Sequence, residues 1–301
     1  MPRSVRRWRE WSVLAAPSDP LAYVGGVDIE FYETPGPLTE LTHDQSETIQ
    51  GLDLGPRSLC LVAQSLLISP PDAANAGLSD ERMAESNIRP ARALLERAHE
   101  LDETTPLGQP RPADHRVVGT CRHFAVLATA LLRAKSVPAR ARCGFATYFI
   151  PPKKVDHWIV EFWSHDTARW VRIDPEHLDR PTPVSVQMDN LSPGEFLTAG
   201  EAWQIVRSGD EVGSDFGVFG TENWGPGEIR GNAMRDLASV LHKIEMLPWD
   251  VWGPMEDSYD GKTGEDFDKL IDDLAIATQD GDVAEMTRVY EQLAIPDSMI
   301  S

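Results

Sequence analysis

The spacing of hydrophobic and polar residues changes near residue 139, in the middle of the chain. From Gly119 to Pro138 the sequence reads GTCRHFAVLATALLRAKSVP, with nine consecutive uncharged residues from Phe124 to Leu132. A Gly-Thr turn before this run, basic residues at its end and a proline after it are typical helix signals. An uncharged helix is normally buried on most sides. The pattern therefore predicts a central buried helix with Cys121 in its first turn.

After residue 139 the hydrophobic period changes to two, which is typical of half-buried strands. We expect strands at 139–149, 156–163 and 169–174, and a polar loop joins the second strand to the third. These strands predict an antiparallel sheet next to the central helix.

The hairpin formed by the last two strands predicts which side chains meet. If its turn is centred at 165–166, His157 lies opposite Asp174, and Glu161 lies opposite Trp170. Cross-strand partners have Cβ atoms about 4.5–5.5 Å apart, so the imidazole and the carboxylate can form a hydrogen bond. A slip of two residues would leave both groups on the same face.

The regions on either side of this centre are expected to be mainly helical. In the N-terminal third, short apolar runs at Trp11–Ala15 and Leu21–Val24 could be strands or docked arms. Another helix is expected to open at Pro193, and Pro90 could split one of the helices. The remaining predicted helices lie at 56–69, 79–103, 232–245, 264–278 and 282–293.

The composition argues against several classes of function. The 301 residues include 48 Asp and Glu against 28 Lys and Arg, a formal net charge of −20. Such a charge disfavours binding to nucleic acid or to an anionic membrane, and no apolar run is long enough to span a bilayer. The three cysteines lack metal-ligand spacing, and no apolar segment follows the early arginines, so we expect neither a metal site nor a signal peptide. These features predict a cytoplasmic protein.

Cys121, His157 and Asp174 are the residues in which we expect chemistry. The first turn of a helix has unpaired N–H groups and a partial positive charge, which should lower the pKa of the Cys121 thiol below about 8.5. A histidine that takes the thiol proton, and a carboxylate that orients the imidazole, complete an arrangement for nucleophilic acyl chemistry. The thiolate would attack a carbonyl and form a thioester, which water or an amine then releases.

Around these residues the sequence resembles the transglutaminase-like superfamily of cysteine acyltransferases and hydrolases. The resemblance covers about residues 117–176 and rests on GTCRHFAVLATALLRAKSVPARARCGF, DHWIVEF and WVRIDP. It implies a papain-like α+β fold, with the nucleophile helix packed on an antiparallel sheet, and a triad of Cys121, His157 and Asp174. It also implies acyl-enzyme chemistry without a metal or another cofactor. One departure is Trp158, which follows the histidine directly, where the common form has a small residue between the two.

The C-terminal part, residues 177–301, lies outside the shared core. It resembles the tail of a bacterial subgroup of transglutaminase-like proteins in FLTAGEAW, IRGNAMRDLASV and MLPWDVWG. We therefore divide the chain into an N-terminal extension at 1–116, a catalytic core at 117–180 and a mainly helical C-terminal extension at 181–301.

Several further residues are candidates for the site. The backbone N–H of Cys121 is expected in the oxyanion hole, with Gln64 as a second donor. His123 is a candidate substrate contact on a different helix face, and Arg140 could bind a substrate carboxylate or form a structural ion pair. The other candidate contacts are aromatic, and the last two belong to a turn that is either a pocket wall or core packing: Trp158, Trp249 and Trp252.

Two hypotheses follow for the function. The first is a cysteine-dependent hydrolase or acyltransferase that acts on the amide or ester carbonyl of a small molecule or peptide, with an amine as a possible co-substrate. Within it, an open groove beside Cys121 favours a peptidase, and an amine pocket closed to water favours an amide synthase. The second is a catalytically silent protein that uses the fold for binding or as a scaffold. A buried Cys121, or a His157 turned away from it, would favour the second hypothesis.

Overall fold

A curled antiparallel sheet and the helix that begins at Cys121 form the centre of the molecule. The computed structural model describes residues 29–294, so the strands or arms predicted at Trp11–Ala15 and Leu21–Val24 lie outside the described residues. Helices and an antiparallel sheet are combined in one chain, which confirms the predicted α+β class.

Within residues 29–294 the regular elements are mostly short. The helices are α1 (His43–Gln50), α2 (Pro56–Leu66), α3 (Pro70–Asn75), α4 (Asp80–Met83), α5 (Ala91–Leu101), α6 (Cys121–Ala134), α7 (Ala199–Arg207), α8 (Pro226–Val240), α9 (Gly253–Tyr259), α10 (Glu265–Asp280) and α11 (Val283–Leu293). The strands are β1 (Leu67–Ile68), β2 (Val117–Val118), β3 (Ala139–Ala146), β4 (Lys154–Ser164), β5 (Arg169–Ile173), β6 (Phe196–Thr198) and β7 (Phe216–Gly217). None of the helices in this part of the chain has the length and apolar character needed to cross a bilayer.

The main sheet has the order β5-β4-β3-β6 with antiparallel neighbours, and β7 pairs in parallel with β4. A separate parallel pair, β1 and β2, leads into α6. α6 packs against β3, β4 and α2, while α8 packs against β3. One apolar cluster includes side chains of α2, α5 and α6, and a second includes those of α7, α8, α10 and α11.

α6 is buried along its length, as its uncharged sequence predicts. Every residue from Arg122 to Arg133 is buried. At its beginning, His123 Nδ1 accepts a hydrogen bond from the Thr120 N–H at 3.0 Å. At its end, the Arg133 guanidinium donates to the Ala139 carbonyl of β3 at 2.9 Å. The first contact caps the beginning of α6, and the second joins its end to the sheet.

Gly144 lies at the middle of the sheet, where β3 pairs with β4 on one side and β6 on the other. It is opposite His157 of β4 and opposite Thr198 of β6. A Cβ atom at this position would collide with the Leu197 carbonyl oxygen and would lie 2.9 Å from the Thr198 Cα. β6 can therefore approach β3 only because residue 144 has no side chain.

The register of the β4–β5 hairpin differs from the prediction. Glu161 pairs with Arg172, not with the residue two positions earlier, so the turn is centred one residue later than expected. Ala168 in this turn has a positive φ of 48°, a conformation that an alanine gives no reason to expect. The partner of each β4 residue thus moves by two positions along β5. Because two is an even number, His157 and Asp174 remain on the same face of the sheet.

Other elements differ from the prediction in their bounds. The helix expected to open at Pro193 begins at Ala199, because the residues before it pair with β3 as β6. The helix expected at 79–103 is divided into α4, a 3-10 turn and α5, and Pro90 precedes α5 as a proline at a helix start can. The helix expected at 232–245 is α8, which begins and ends earlier. The last two predicted helices are confirmed as α10 and α11.

A buried network of charged side chains joins the sheet to α8. Glu161 is 2% exposed and accepts hydrogen bonds from Arg140, Arg142 and Arg172 at 2.8–2.9 Å. Asp236 of α8 is also buried, and it accepts from Arg142 Nη2 at 2.7 Å. Burial alone would raise the pKa of Glu161, but the three arginine charges outweigh it and hold this pKa well below its usual range. The network thus stabilises the Glu161 carboxylate in its charged form.

We expect Asp236→Asn to lower the free energy of unfolding by about 3 kcal/mol, because it leaves part of the buried Arg142 charge unpaired. The measurement is denaturant unfolding followed by circular dichroism. The matched control is Asp273→Asn, which removes a surface partner of Lys269 and should change the free energy by less than about 1 kcal/mol. Equal losses in the two variants would contradict a special role for the contact with α8.

Candidate active site

Cys121 lies at the edge of a surface cleft of about 620 Å³. It is half-buried, whereas the other two cysteines are fully buried. As the first residue of α6, it has a backbone N–H without a partner inside the helix. The cleft is bordered by the beginnings of α3 and α6, the turn between β3 and β4, the start of β4 and the loop after β5. A substrate carbonyl can therefore reach this thiol and this N–H group from solvent.

His157 of β4 lies between Cys121 and Asp174. Its Nε2 is 2.9 Å from Asp174 Oδ2, so Nδ1 is the ring nitrogen available to the thiol. The potential ligand atoms of Cys121, His157 and Glu176 all lie within 4.8 Å of one another. The ring of Phe149 packs edge-to-face on the imidazole, with centroids 5.0 Å apart. The histidine is thus held by a carboxylate on one side and an aromatic ring on another.

Asp174 is fully buried, and both of its oxygens accept hydrogen bonds. Oδ2 accepts from the Tyr148 hydroxyl at 2.7 Å and from His157 at 2.9 Å, and His177 Nδ1 lies 3.1 Å away. Oδ1 accepts from the backbone N–H groups of Glu176 and His177 at 3.0 and 3.1 Å. One carboxylate therefore orients the histidine and also shapes the loop that follows β5.

The charges of Asp174 and His157 reinforce each other. Burial disfavours the protonated imidazole, but the charge and hydrogen bond of Asp174, together with the hydrogen bond to Cys121, raise the pKa of His157 well above 6.5. Burial likewise disfavours the ionised carboxylate, but the charges of His157 and His177 hold the pKa of Asp174 well below its ordinary value. A proton that leaves the thiol is therefore well accommodated on His157.

The pKa of Cys121 differs from the expectation of a depressed value. Burial raises the pKa of the thiol, and the carboxylates Asp156 and Glu176 raise it further, while the hydrogen bond and charge of His157 lower it. The net direction is upward, so the expectation drawn from the helix terminus alone was wrong. The thiolate at this site depends on His157, and nearby negative charge opposes it.

Comparison with known proteins identifies a similar family for part of the chain. The family model described as the transglutaminase-like superfamily matches residues 84–175. These residues are thus similar to a transglutaminase-like core. The matched residues include Cys121, His157 and Asp174.

Two solved structures are similar to part of the chain. A candidate cysteine protease from Cytophaga hutchinsonii is 19% identical over 48% of this chain and 47% of that one, with a TM-score of 0.20. The periplasmic domain of TgpA from Pseudomonas aeruginosa is 23% identical over 42% of this chain and 49% of that one, with a TM-score of 0.19. The chain thus spans about half the length of the structures it matches. No curated protein matches it.

Two residues just beyond the transglutaminase-like core were not predicted from the sequence. Glu176 and His177 follow the Asp-Pro pair, and both line the cleft. Their position results from the turn in which Asp174 Oδ1 accepts their backbone N–H groups. The available signal was an aspartate that precedes a proline and two polar residues, since aspartate side chains often bond to N–H groups two or three residues later.

Three predicted residues of the site are not brought to the cleft. Gln64 donates to the carbonyls of Glu176 and Leu178 at 3.0 and 2.9 Å, so its amide supports the loop after β5 and is not directed at an oxyanion. Trp158 is fully buried, in a small cluster with Cys143 behind Cys121. These residues do not reach the cleft for the same reason: their polar or aromatic groups make contacts inside the fold.

His123 is the third of these residues. It is fully buried, Nδ1 accepts from Thr120, and Nε2 is 3.0 Å from the Ile88 carbonyl. Burial lowers the pKa of His123 to about 3, so the ring is neutral. His123 therefore begins the helix and joins it to the chain before α5, and it does not contact the cleft.

The other candidate substrate contacts also lie outside the cleft. Arg140 forms an ion pair with Glu161 and stacks on Trp170, 4.1 Å from its ring centroid. Of the two roles expected for Arg140, the structure thus has the structural ion pair. Trp252 is 5% exposed and packs in the cluster around α8. Trp249 is 49% exposed and lines a second cavity of about 670 Å³, which meets the cleft at Val218 and Pro248.

The described residues include two sets of three side chains that could hold a metal ion: Cys121 with His157 and Glu176, and His157 with Asp174 and His177. Both sets contain His157. A metal bound by either set would occupy an imidazole nitrogen that proton transfer from Cys121, or orientation by Asp174, requires. Metal binding and acyl chemistry are therefore alternatives at this site.

We expect Asp174→Asn to lower the free energy of unfolding by about 3 kcal/mol, because the buried His157 loses its charged partner. The loss should be greatest between about pH 4 and pH 6.5. Stability from a depressed carboxyl pKa is lost as pH falls below its unfolded value, and stability from a raised histidine pKa is lost as pH rises through its folded value. Denaturant unfolding at a series of pH values measures this difference.

The control for this experiment is Asp166→Asn, at an exposed position of the β4–β5 turn. It should change stability little at any pH. A loss in Asp174→Asn that stays constant across the whole pH range would contradict the coupling between Asp174 and His157.

Proposed function

We propose that this protein is a cysteine hydrolase that cleaves an amide or ester bond through a thioester intermediate. The observation that supports it most directly is the position of His157, whose Nε2 contacts Asp174 and whose imidazole lies within 4.8 Å of the Cys121 sulfur. The thiol lines a cleft that is accessible to solvent. These are the parts that nucleophilic acyl chemistry requires.

In the proposed reaction, the Cys121 proton moves to His157 as sulfur attacks the carbonyl carbon. The carbonyl oxygen becomes an oxyanion, and the unpaired N–H of Cys121 is positioned to donate to it. When the tetrahedral intermediate collapses, the bond to the leaving group breaks and that group takes the proton from His157. The acyl group is then bound to sulfur as a thioester.

Release of the acyl group requires a second nucleophile. Water attacks the thioester, His157 takes one of its protons, and the carbon–sulfur bond breaks to give a carboxylic acid and the thiol. The open cleft supports water as this nucleophile, since an exposed Phe219 lies at its border and no closed amine chamber surrounds Cys121 in the described residues. Acyl transfer to an amine is the alternative that product analysis would distinguish.

Two features favour an active enzyme over a silent scaffold. Cys121 is partly exposed to the cleft, and His157 is directed at it and not away from it. A binding protein would have no physical need for a buried aspartate that holds a histidine beside a thiol. All three thiols are unpaired, which suits a reducing compartment, and the proposal places the protein in the cytoplasm.

We expect His157→Ala to slow alkylation of Cys121 by iodoacetamide about tenfold or more at pH 7. Without the imidazole the thiolate loses its hydrogen bond and its positive partner, so the apparent pKa of the thiol rises, and each pKa unit corresponds to a factor of about ten. The measurement is the alkylation rate against pH, followed by mass spectrometry. Cys60 and Cys143 are buried and should not react in the folded protein.

A second experiment tests the acyl intermediate. Incubation with para-nitrophenyl acetate should add one acetyl group to the wild type, located on Cys121, and none to Cys121→Ala. His115→Ala is a control, because that histidine contacts Asp102 and lies outside the cleft. An alkylation rate that is the same with and without His157, together with no acetylation, would contradict the proposed function.

A further inference from the structure

Glu176 is a cleft residue whose backbone position is explained by its contacts, whereas its carboxylate has no structural role of that kind. Its side chain is 8% exposed, and it lines the cleft within 4.8 Å of the reactive atoms of Cys121 and His157. Its backbone is fixed at both ends of the residue, since its N–H donates to Asp174 at 3.0 Å and its carbonyl accepts from Gln64 at 3.0 Å. The carboxylate is therefore presented to the cleft by a rigid loop.

No side chain within residues 29–294 forms a hydrogen bond or an ion pair with this carboxylate, although the charges of His177, His157 and Arg180 act on it from nearby. Arg180, the arginine of the same cleft, is bound to Asp72 at 2.7 Å. The cleft histidines, His157 and His177, both direct a ring nitrogen at Asp174. Native proteins rarely bury a carboxylate without such a partner.

A second carboxylate increases the negative charge of the cleft. Asp156 also lines it and accepts a hydrogen bond from the neutral amide of Asn232 at 2.6 Å, without a direct ion pair. Asp156 and Glu176 both disfavour the Cys121 thiolate. A carboxylate charge that has no direct ion pair and opposes the nucleophile is costly in the free protein, unless a positive charge on the substrate neutralises it.

We propose that Glu176 selects acyl donors that carry an ammonium group close to the scissile carbonyl, as in a chain with a free α-amino group. This inference rests on the proposed function, because it names the substrate class of the same site. When the carbonyl carbon lies at the sulfur, an ammonium on the neighbouring carbon lies within reach of the Glu176 carboxylate. Its charge would offset the repulsion between that carboxylate and the thiolate, so substrate binding would favour the reactive form of Cys121.

The charge belongs on the acyl donor and not on an attacking amine. An amine must lose its proton before it can attack a thioester, whereas a carboxylate at this position stabilises the protonated form. Glu176 would therefore slow an acceptor amine and would bind a donor ammonium.

The test uses reagents that need no known substrate. Cys121 is modified with three methanethiosulfonates of different charge: the cationic trimethylammonioethyl reagent, the anionic sulfonatoethyl reagent and the neutral methyl reagent. In the wild type the cationic reagent should react about tenfold faster than the anionic one, after correction for their rates with a free thiol. Glu176→Gln should reduce this preference about tenfold and should increase the rate of the neutral reagent.

Two further variants serve as controls. Glu176→Asp keeps the charge and should keep most of the preference, which separates charge from folding defects. Glu96→Gln makes the same change of net charge on an exposed part of α5 and should leave the preference intact. A preference near one in the wild type, or one that Glu176→Gln leaves unchanged, would overturn the inference.

A comparison of two substrates then tests whether the positive charge belongs to the acyl donor. The para-nitrophenyl ester of glycine should exceed that of N-acetylglycine in kcat/KM, and Glu176→Gln should remove most of this difference. The opposite result is a dependence on Glu176 that appears only in the rate at which an added amine releases an acetyl group from Cys121. In that case the assignment of the positive charge to the donor is wrong. A different outcome would contradict the proposed function itself: the neutral reagent would modify Cys121 at the same rate with and without His157.

Discussion

The structure of this site depends on one buried carboxylate, that of Asp174. Each of its oxygens has its own role, since Oδ2 accepts from Tyr148 and His157 while Oδ1 accepts from two backbone N–H groups. The first set orients the imidazole towards Cys121. The second set folds the loop after β5 and so determines where Glu176 lies. The buried Asp174 carboxylate thus links the position of the base, His157, to the position of the Glu176 charge. Loss of either set of hydrogen bonds would disturb both positions.

The charges around Cys121 act in opposite directions. The positive partner is one imidazole, which is kept protonatable by Asp174, and the negative neighbours are Asp156 and Glu176. In the free protein burial and the carboxylates favour the neutral thiol. A neutral thiol is less easily alkylated or oxidised, so this balance protects the nucleophile until a ligand changes the local field. The protein thereby differs from sites in which a helix terminus alone keeps a cysteine ionised.

Much of the core could be predicted from the sequence because its signals are local. The uncharged run with a proline after it predicts α6, and the alternation before and after the polar loop predicts β4 and β5. The His157–Asp174 contact could be predicted although the assumed register was wrong, because an error of two residues preserves the face of a strand. The exact pairing could not, since it depends on a left-handed Ala168.

The remaining site residues could not be predicted because their positions depend on contacts between distant parts of the chain. Gln64 is used by carbonyl groups more than a hundred residues away, and His123 is used by its own helix terminus and Ile88. Glu176 enters the cleft through a turn whose geometry depends on which atoms Asp174 bonds.

Gly144 shows how a position with no chemical group can limit the whole arrangement. It pairs with the strand of His157 on one side and leaves room for β6 on the other. In a population of random variants, we would expect this position to accept almost no replacement, although it donates no hydrogen bond from a side chain and touches no substrate. Constraint on a residue therefore need not indicate a role in the reaction. At residue 144 the constraint reflects the close approach of β6 to β3, which leaves no room for a side chain.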